Sequence, residues 1–349
     1  MGRTPAPSRI SQLALDLCHY EPLHAWYTAQ VLALLLSGLV HNDCRSFNSF
    51  DRRDKNMDKD IDLTYIKGSQ GTAFLTLKPK AYYMEFVPKE EQALDFSKSA
   101  EICERVGIDF SDYVGDSETK KRILSIGFVI RSKAFEELLD KYIKQLDNPV
   151  VVHFGCGLSD RSERYRQRGF PFYDVDFPDM IELRKNFYED GEHYKMIGSD
   201  LSTYTWIEQI PQEQRQRPFI FIAEGVSPYL REMQLKELFA KLKENFPGCV
   251  FIFDTYTELK LKQGKKEVEK FGAEFHFYNK DPSVMVNWGE GEYQSLEEDN
   301  LSYRKDFLKN KYLPGFYKFM IRVVLACFFW HKGLTRSTVI HVFQFGQKT

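Results

Sequence analysis

Val150-Val151-Val152-His153-Phe154-Gly155-Cys156-Gly157-Leu158 is the stretch whose reading decides the fold. It reads as a short buried strand that runs into a glycine turn, with a helix starting near Ser159-Asp160. That is the first βα unit of a doubly wound nucleotide-binding sheet. Gly155 lets the backbone turn sharply, and Gly157 leaves room for a ligand against the main chain. Taken alone, a G-x-G after an apolar run also fits a plain turn between core elements.

The residues downstream support the first reading. A second strand, Phe170-Pro171-Phe172-Tyr173-Asp174-Val175-Asp176, ends in an acid. That acid falls about 20 residues after the glycines, where such folds hold ribose hydroxyls. A third unit ends at Ile197-Gly198-Ser199-Asp200-Leu201. A fourth strand, Phe219-Ile220-Phe221-Ile222-Ala223, runs into Glu224-Gly225, and a fifth, Val250-Phe251-Ile252-Phe253, ends at Asp254. Consecutive strands thus deliver carboxylates at their carboxyl ends, the edge at which open α/β sheets bind ligands.

Composition narrows the classes. A length of 349 residues suits one large domain with additions, or two domains. A formal net charge of −2 gives no basic field for nucleic acid. The cysteines Cys18, Cys44, Cys103, Cys156, Cys249 and Cys327 are scattered with no C-x-x-C pair. That predicts reduced, mostly buried thiols in a cytoplasmic protein, not a disulfide frame. The histidines show no metal-ligand spacing, so no metal site is expected.

Residues 1–56 differ in composition from the rest of the chain and read as an N-terminal extension outside the functional domain, with Met57 as the functional start. The apolar run Val31 to Val40 is too short to span a bilayer, which takes about 20 residues, so no membrane association is expected. Residues 57–148 read as a helical cap. In it, a helix over 63–83 is interrupted at Lys78-Pro79-Lys80-Ala81, and a later one over 119–145 carries the apolar stripe Ile123, Ile126, Ile130, Phe135, Leu138, Leu139 and Tyr142. Residues 149–349 read as the core. Strands alternate there with helices over 159–168, 178–189, 231–245 and 258–271, which argues for a mainly parallel sheet covered on both faces. Residues 273–311 interrupt the alternation and read as a lid over an acceptor pocket, with Tyr278 and Trp288 as rings that pack against the acceptor. The chain closes with the alternating strand Ser337 to Phe345, which fits an edge hairpin.

Several of these motifs together resemble the leucine carboxyl methyltransferase family. They are Phe154-Gly155-Cys156-Gly157-Leu158-Ser159-Asp160-Arg161, Asp174-Val175-Asp176-Phe177-Pro178, Asp200-Leu201 with Trp206, and Glu224-Gly225-Val226-Ser227-Pro228-Tyr229-Leu230. The likeness runs from about Ile61 to the C-terminus and is nearer to the tetracenomycin polyketide-type O-methyltransferase branch. It implies an α/β fold: a doubly wound, mainly parallel, seven-stranded class I methyltransferase (Rossmann-like) sheet with N-terminal helical additions and the lid. It implies S-adenosylmethionine as cofactor. By resemblance, the turn at Gly155 and Gly157 approaches the cofactor, Asp176 holds its ribose, and Asp200 and Leu201 contact adenine. Glu224 lies beside the methionine moiety, and Arg131 pairs with the cofactor's carboxylate. The chain has Ser159-Asp160 where the family often has Asp-Thr, a departure at the helix start.

These residues suit methyl transfer, because a sulfonium tolerates nearby carboxylates and an amino-acid end needs one cation and one anion. A carboxylate acceptor needs no base, whereas a hydroxyl needs one nearby. Tyr229 is the candidate for orienting the acceptor, although a tyrosine that merely satisfies a buried partner fits the same pattern. The reading is an O-methyltransferase acting on a carboxylate or hydroxyl of a polyketide-like small molecule. The alternatives are a protein or tRNA-linked carboxyl methyltransferase, a catalytically silent cofactor-binding module, and a nicotinamide oxidoreductase. The missing third glycine and the V-D-F-P motif disfavour the last.

Overall fold

A computed structural model describes residues 61, 63, 66, 68–108, 115, 117–278, 282–289, 292–327 and 336–346. The expected extension over 1–56, the charged stretch after it and a start at Met57 lie outside the described residues.

The strands are β1 (Val150–Phe154), β2 (Phe172–Asp176), β3 (Tyr194–Gly198), β4 (Phe219–Ala223), β5 (Cys249–Tyr256), β6 (Tyr293–Asn300) and β7 (Thr338–Phe345). They form one seven-stranded sheet in the order β3-β2-β1-β4-β5-β7-β6. The first five are parallel; β7 pairs antiparallel with both β5 and β6. β1, β2, β4 and β5 are buried at every position. Unbroken burial explains why these strands read as apolar runs: parallel strands need crossovers, and crossovers cover both faces. The chain steps outward from β1 to β3 and then returns to β4. The crevice above β1 and β4 is therefore the topological switch point.

Before the sheet come α1 (Ala73–Phe86), α2 (Ser97–Val106) and α3 (Glu118–Gln145). Between and after the strands come α4 (Arg161–Tyr165), α5 (Pro178–Arg184), α6 (Trp206–Gln209), α7 (Glu232–Asn245), α8 (Glu258–Glu269), α9 (Pro282–Asn287), α10 (Lys305–Leu308) and α11 (Gly315–Cys327). Side chains alternate along each strand, so each face has its own core. One face carries Val150, Val152, Phe154, Phe219, Phe221, Phe251 and Phe253, packed under α6 and α7 through Trp206, Leu238, Phe239 and Phe246. The opposite face carries Val151, Phe172, Ile220, Ile222, Val250 and Ile252, packed under α1, α2 and α3 through Leu77, Ile102, Phe135 and Leu139.

That alternation also places the charges. His153 follows Val151 by two positions, Asp174 and Asp176 follow Phe172, Glu224 follows Ile222, and Asp254 follows Ile252. With a period of two, all of them fall on the α1/α3 face. The helices of that face then supply the cations.

Some expectations are corrected. α1 runs through Pro79 instead of breaking at 78–81. The proline cannot donate to the carbonyl of Leu75 four residues back, and both residues line a cavity at the sheet's carboxyl edge, so the missing bond falls at a cavity wall. The helix expected from 159 starts at Arg161, with Asp160 at its N-cap. The span 273–311 holds strand β6 as well as wall segments. Trp288 does not face an acceptor: its ring lies 5.6 Å from Phe239 and 6.1 Å from Phe277, against the aromatic core. An alternation that places apolar residues in a core reads the same as one that places them in a pocket.

Candidate functional site

A cavity of about 1000 Å³ opens above the carboxyl edge of the sheet. Its wall includes the residues expected to hold the cofactor, Arg131, Gly155, Gly157, Asp176, Asp200, Leu201 and Glu224, and the acceptor candidate Tyr229. They come from separate segments and are joined only by the fold. Tyr278 and Trp288 are not part of this wall, whereas Phe275, Leu301, Ser302 and Phe307 from the expected lid are.

The glycine turn is set by sterics. Gly155 has φ +59°, and a Cβ there would fall 2.5 Å from Val226 Cγ2. Gly157 has φ +50°, and a Cβ there would fall 3.1 Å from the Cβ of Ala73, the first residue of α1. The missing side chain at Gly157 thus lets α1 approach the turn as well as exposing backbone to the cavity. The amide of Gly157 donates to Asp176 Oδ2 at 2.7 Å, and the amide of Phe177 to Asp176 Oδ1 at 2.8 Å. Burial pushes the Asp176 carboxyl up to about 6, although these amides favour its ionised form.

Glu224 lies at the centre of a buried ion network. Arg131 Nε donates to its Oε1 at 2.9 Å, Ser132 Oγ to Oε1 at 3.0 Å, and Arg161 Nη2 to Oε2 at 2.6 Å. Burial alone would raise this carboxyl, but Lys80, Arg131 and Arg161 hold it well below the usual carboxylate range. Arg131 also donates through Nη1 to the Tyr256 hydroxyl at 2.6 Å, and Tyr256 donates to Asp254 Oδ2 at 2.7 Å. Asp254 in turn accepts the amide of Gly225 at 2.8 Å, which fixes the turn after β4. Lys80 is 4% exposed, lines the cavity, and lies within the fields of Glu224 and Asp160 without a hydrogen bond among the described residues, with the Phe96 ring 5.7 Å from Nζ. Burial pushes its ammonium below the usual lysine range.

A second network lies beneath the first, between strands. His153 on β1 is in register with Asp174 on β2. Asp174 takes His153 Nδ1 at 2.8 Å, Arg184 Nη2 at 2.7 Å and the Tyr194 hydroxyl at 2.6 Å. Burial pushes the His153 imidazole down to about 4, so it is neutral at pH 7. The neutral ring donates through Nδ1 to Asp174 and accepts Arg161 Nη1 at Nε2, 2.9 Å away. Arg161 thereby links this layer to Glu224. Arg184 also donates to the carbonyl of Gly157 at 2.9 Å, so the network holds the glycine turn from below.

Asp200 caps the turn Leu201–Thr203, accepting the amide of Ser202 at 2.8 Å. Tyr229 packs on Phe275 with ring centroids 5.4 Å apart, and its hydroxyl lies near Thr72. Burial raises its pKa, which disfavours ionisation of the phenol. Lys80, Arg161, Tyr256 and Lys260 also line the cavity but receive no role from the sequence. Lys80 carried a faint signal: Ala73, Thr76 and Lys80 fall on one stripe of α1 and all reach the cavity wall.

The leucine carboxyl methyltransferase family model matches residues 84–243. A tetracenomycin polyketide synthesis O-methyltransferase from Streptomyces glaucescens is 30% identical over 235 residues, 66% of this chain and 79% of that protein. An S-adenosyl-L-methionine-dependent methyltransferase from Gibberella zeae is 23% identical over 246 residues, 63% of this chain and 78% of that protein. Among solved structures, a putative methyltransferase from Thermobifida fusca aligns with a TM-score of 0.48 at 9% identity, covering 81% of this chain and 97% of that one.

Proposed function

This chain belongs to the leucine carboxyl methyltransferase family and is an S-adenosylmethionine-dependent methyltransferase, and from that premise we propose an O-methyltransferase acting on a carboxylate or hydroxyl of a polyketide-like small molecule. One observation carries the reading: a single cavity joins charged groups suited to the cofactor with an apolar wall suited to an acceptor. Its volume lies at the top of the range for ligand pockets, roughly 300–1,000 Å³, which leaves space beyond the cofactor.

The residues present fit S-adenosylmethionine. Two cations, Lys80 and Arg131, suit its carboxylate. Arg131 Nη2 and Lys80 Nζ have no hydrogen-bond acceptor among the described residues, so both have donors to spare. Glu224 suits the ammonium, Asp176 the ribose hydroxyls, and Asp200 with Leu201 the adenine. Bound there, S-adenosylmethionine supplies an electrophilic methyl on a sulfonium, and transfer is an in-line displacement. The chain's own part is to fix that methyl toward the apolar wall and to exclude water. Tyr229 and Phe275 form the part of the wall that we assign to orienting the acceptor.

The state of Asp176 gives a pH test. With a folded pKa of about 6, well above the ordinary 3.8, this carboxyl favours the fold below pH 4 and loses that contribution as the pH rises through 6. Ribose hydroxyls donate to the ionised form, so cofactor binding runs the other way and strengthens over the same interval. Affinity is expected to be about tenfold weaker at pH 5 than at pH 7.5, since one unit below the pKa leaves about a tenth of the group ionised. Calorimetry in buffers of different ionisation enthalpy reads both the affinity and the released proton. A pH-independent affinity, or a dependence that survives in Asp176→Asn, removes the ribose assignment.

The acceptor is tested by turnover of a panel of aromatic carboxylates and phenols with S-adenosylmethionine, read by mass spectrometry. Methyl esters or ethers are expected. Labelling confined to protein C-terminal carboxylates would replace the small-molecule reading.

A further inference from the structure

The cavity wall extends along α3 beyond Arg131. Lys120, Ile123, Leu124, Gly127, Phe128 and Arg131 recur on one helical face and form it. From Arg131 to Lys120 the helix rises roughly 16 Å, at 1.5 Å per residue. From α11 come Tyr317, Ile321, Val324 and Leu325, again one stripe, so apolar side chains make up much of the wall here.

Lys260 is unusual in this setting. It sits in the first turn of α8, directly after β5, and lines the cavity. The residue is exposed and lines the cavity, and its ammonium has no partner among the described residues. An unpaired ammonium facing the cavity, within the field of Arg131, is a ready partner for an incoming anion.

Gly127 is the second observation. A glycine inside a helix is less favourable than alanine. Close packing does not explain it, because an ideal Cβ there meets no atom within 4 Å. The missing side chain leaves open space in the cavity beside α3.

We propose that Lys260 is the specificity-determining cation of the acceptor site, pairing with an anionic oxygen of an aromatic acceptor whose body lies along α3 over Gly127. The proposal rests on the methyltransferase reading and deepens it. A carboxylate or phenolate is the shared chemistry, and it is also the nucleophile that methyl transfer consumes.

The probes are 2-naphthoate and the uncharged 2-naphthamide, titrated by fluorescence into the full chain saturated with S-adenosylhomocysteine. Wild type is expected to bind naphthoate more tightly than the amide. Lys260→Met should weaken naphthoate at least tenfold, leave the amide unchanged, and leave S-adenosylhomocysteine affinity unchanged. Lys260→Arg should restore part of the naphthoate affinity. Gly127→Leu should weaken both probes together while retaining the wild-type melting temperature. The proposal is overturned if wild type does not prefer naphthoate, or if Lys260→Met binds it normally. Loss of S-adenosylhomocysteine binding to wild type would instead overturn the reading on which the proposal rests.

Discussion

Glu224→Gln is expected to take S-adenosylmethionine binding out of the measurable range and to destabilise the fold by about 3–5 kcal/mol, the usual cost of removing one partner from a buried ion cluster. Arg131 and Arg161 both donate to this carboxylate, and Lys80 lies within its field. An amide leaves these cations without their shared anion. The loss on the binding side follows from the same charge: the site would offer the cofactor's ammonium no carboxylate. The effect depends on pH in a fixed direction. Glu224 has a folded pKa well below the ordinary 4.5, so its contribution is present above about pH 4.5 and fades as the pH falls through the depressed value. The wild-type advantage in urea unfolding should therefore be full at pH 7 and narrow on acidification. Calorimetry below the variant's melting transition separates lost binding from lost folding. A folded variant that binds the cofactor normally would refute the assignment.

Asp174→Asn provides the contrast. Asp174 is fully buried, and it is not part of the cavity wall. The substitution leaves Arg184 in the interior with Tyr194, Ser162 and a carbonyl but no anion. A loss of about 3–5 kcal/mol in stability is expected, again from an uncompensated buried charge. Burial raises the Asp174 carboxyl, but Arg184, His153 and Tyr194 outweigh it and hold the folded pKa at about 2 against the ordinary 3.8. The deficit should thus be full above about pH 4 and shrink as the pH falls toward 2. Cofactor affinity in the folded fraction should change little, except through the glycine turn that Arg184 supports. Equal stability of variant and wild type at pH 7 would show that the network is neutral to folding.

Much of the sheet was legible because parallel strands are buried on both faces and therefore read as apolar runs. The carboxylates at the strand ends were legible for the same reason: an acid that closes an apolar run is visible against it. Asp176, Asp200, Glu224 and Asp254 were found this way. The cations were harder. Lys80 and Arg161 sit in helices with other charged residues, and only the fold shows that these particular side chains turn inward. The alternation of β-strands hid a further distinction. Phe251 and Phe253 face one core while Asp254 faces the ion network, a matter of parity that the sequence contains but does not flag. Trp288 went astray because an aromatic ring in an insertion suits either a pocket or a core. Which one it joins depends on where α9 docks.

The central claim is that the cofactor lies across the carboxyl edge of the sheet, between Asp176 and the Glu224 network. A crystal structure of the protein with S-adenosylhomocysteine measures this directly. Ribose hydroxyls are expected on Asp176, the amino-acid end between Glu224, Arg131 and Lys80, and adenine against Leu201. Density for the ligand outside this cavity, or within it with the amino-acid end turned toward Asp200, would contradict the account.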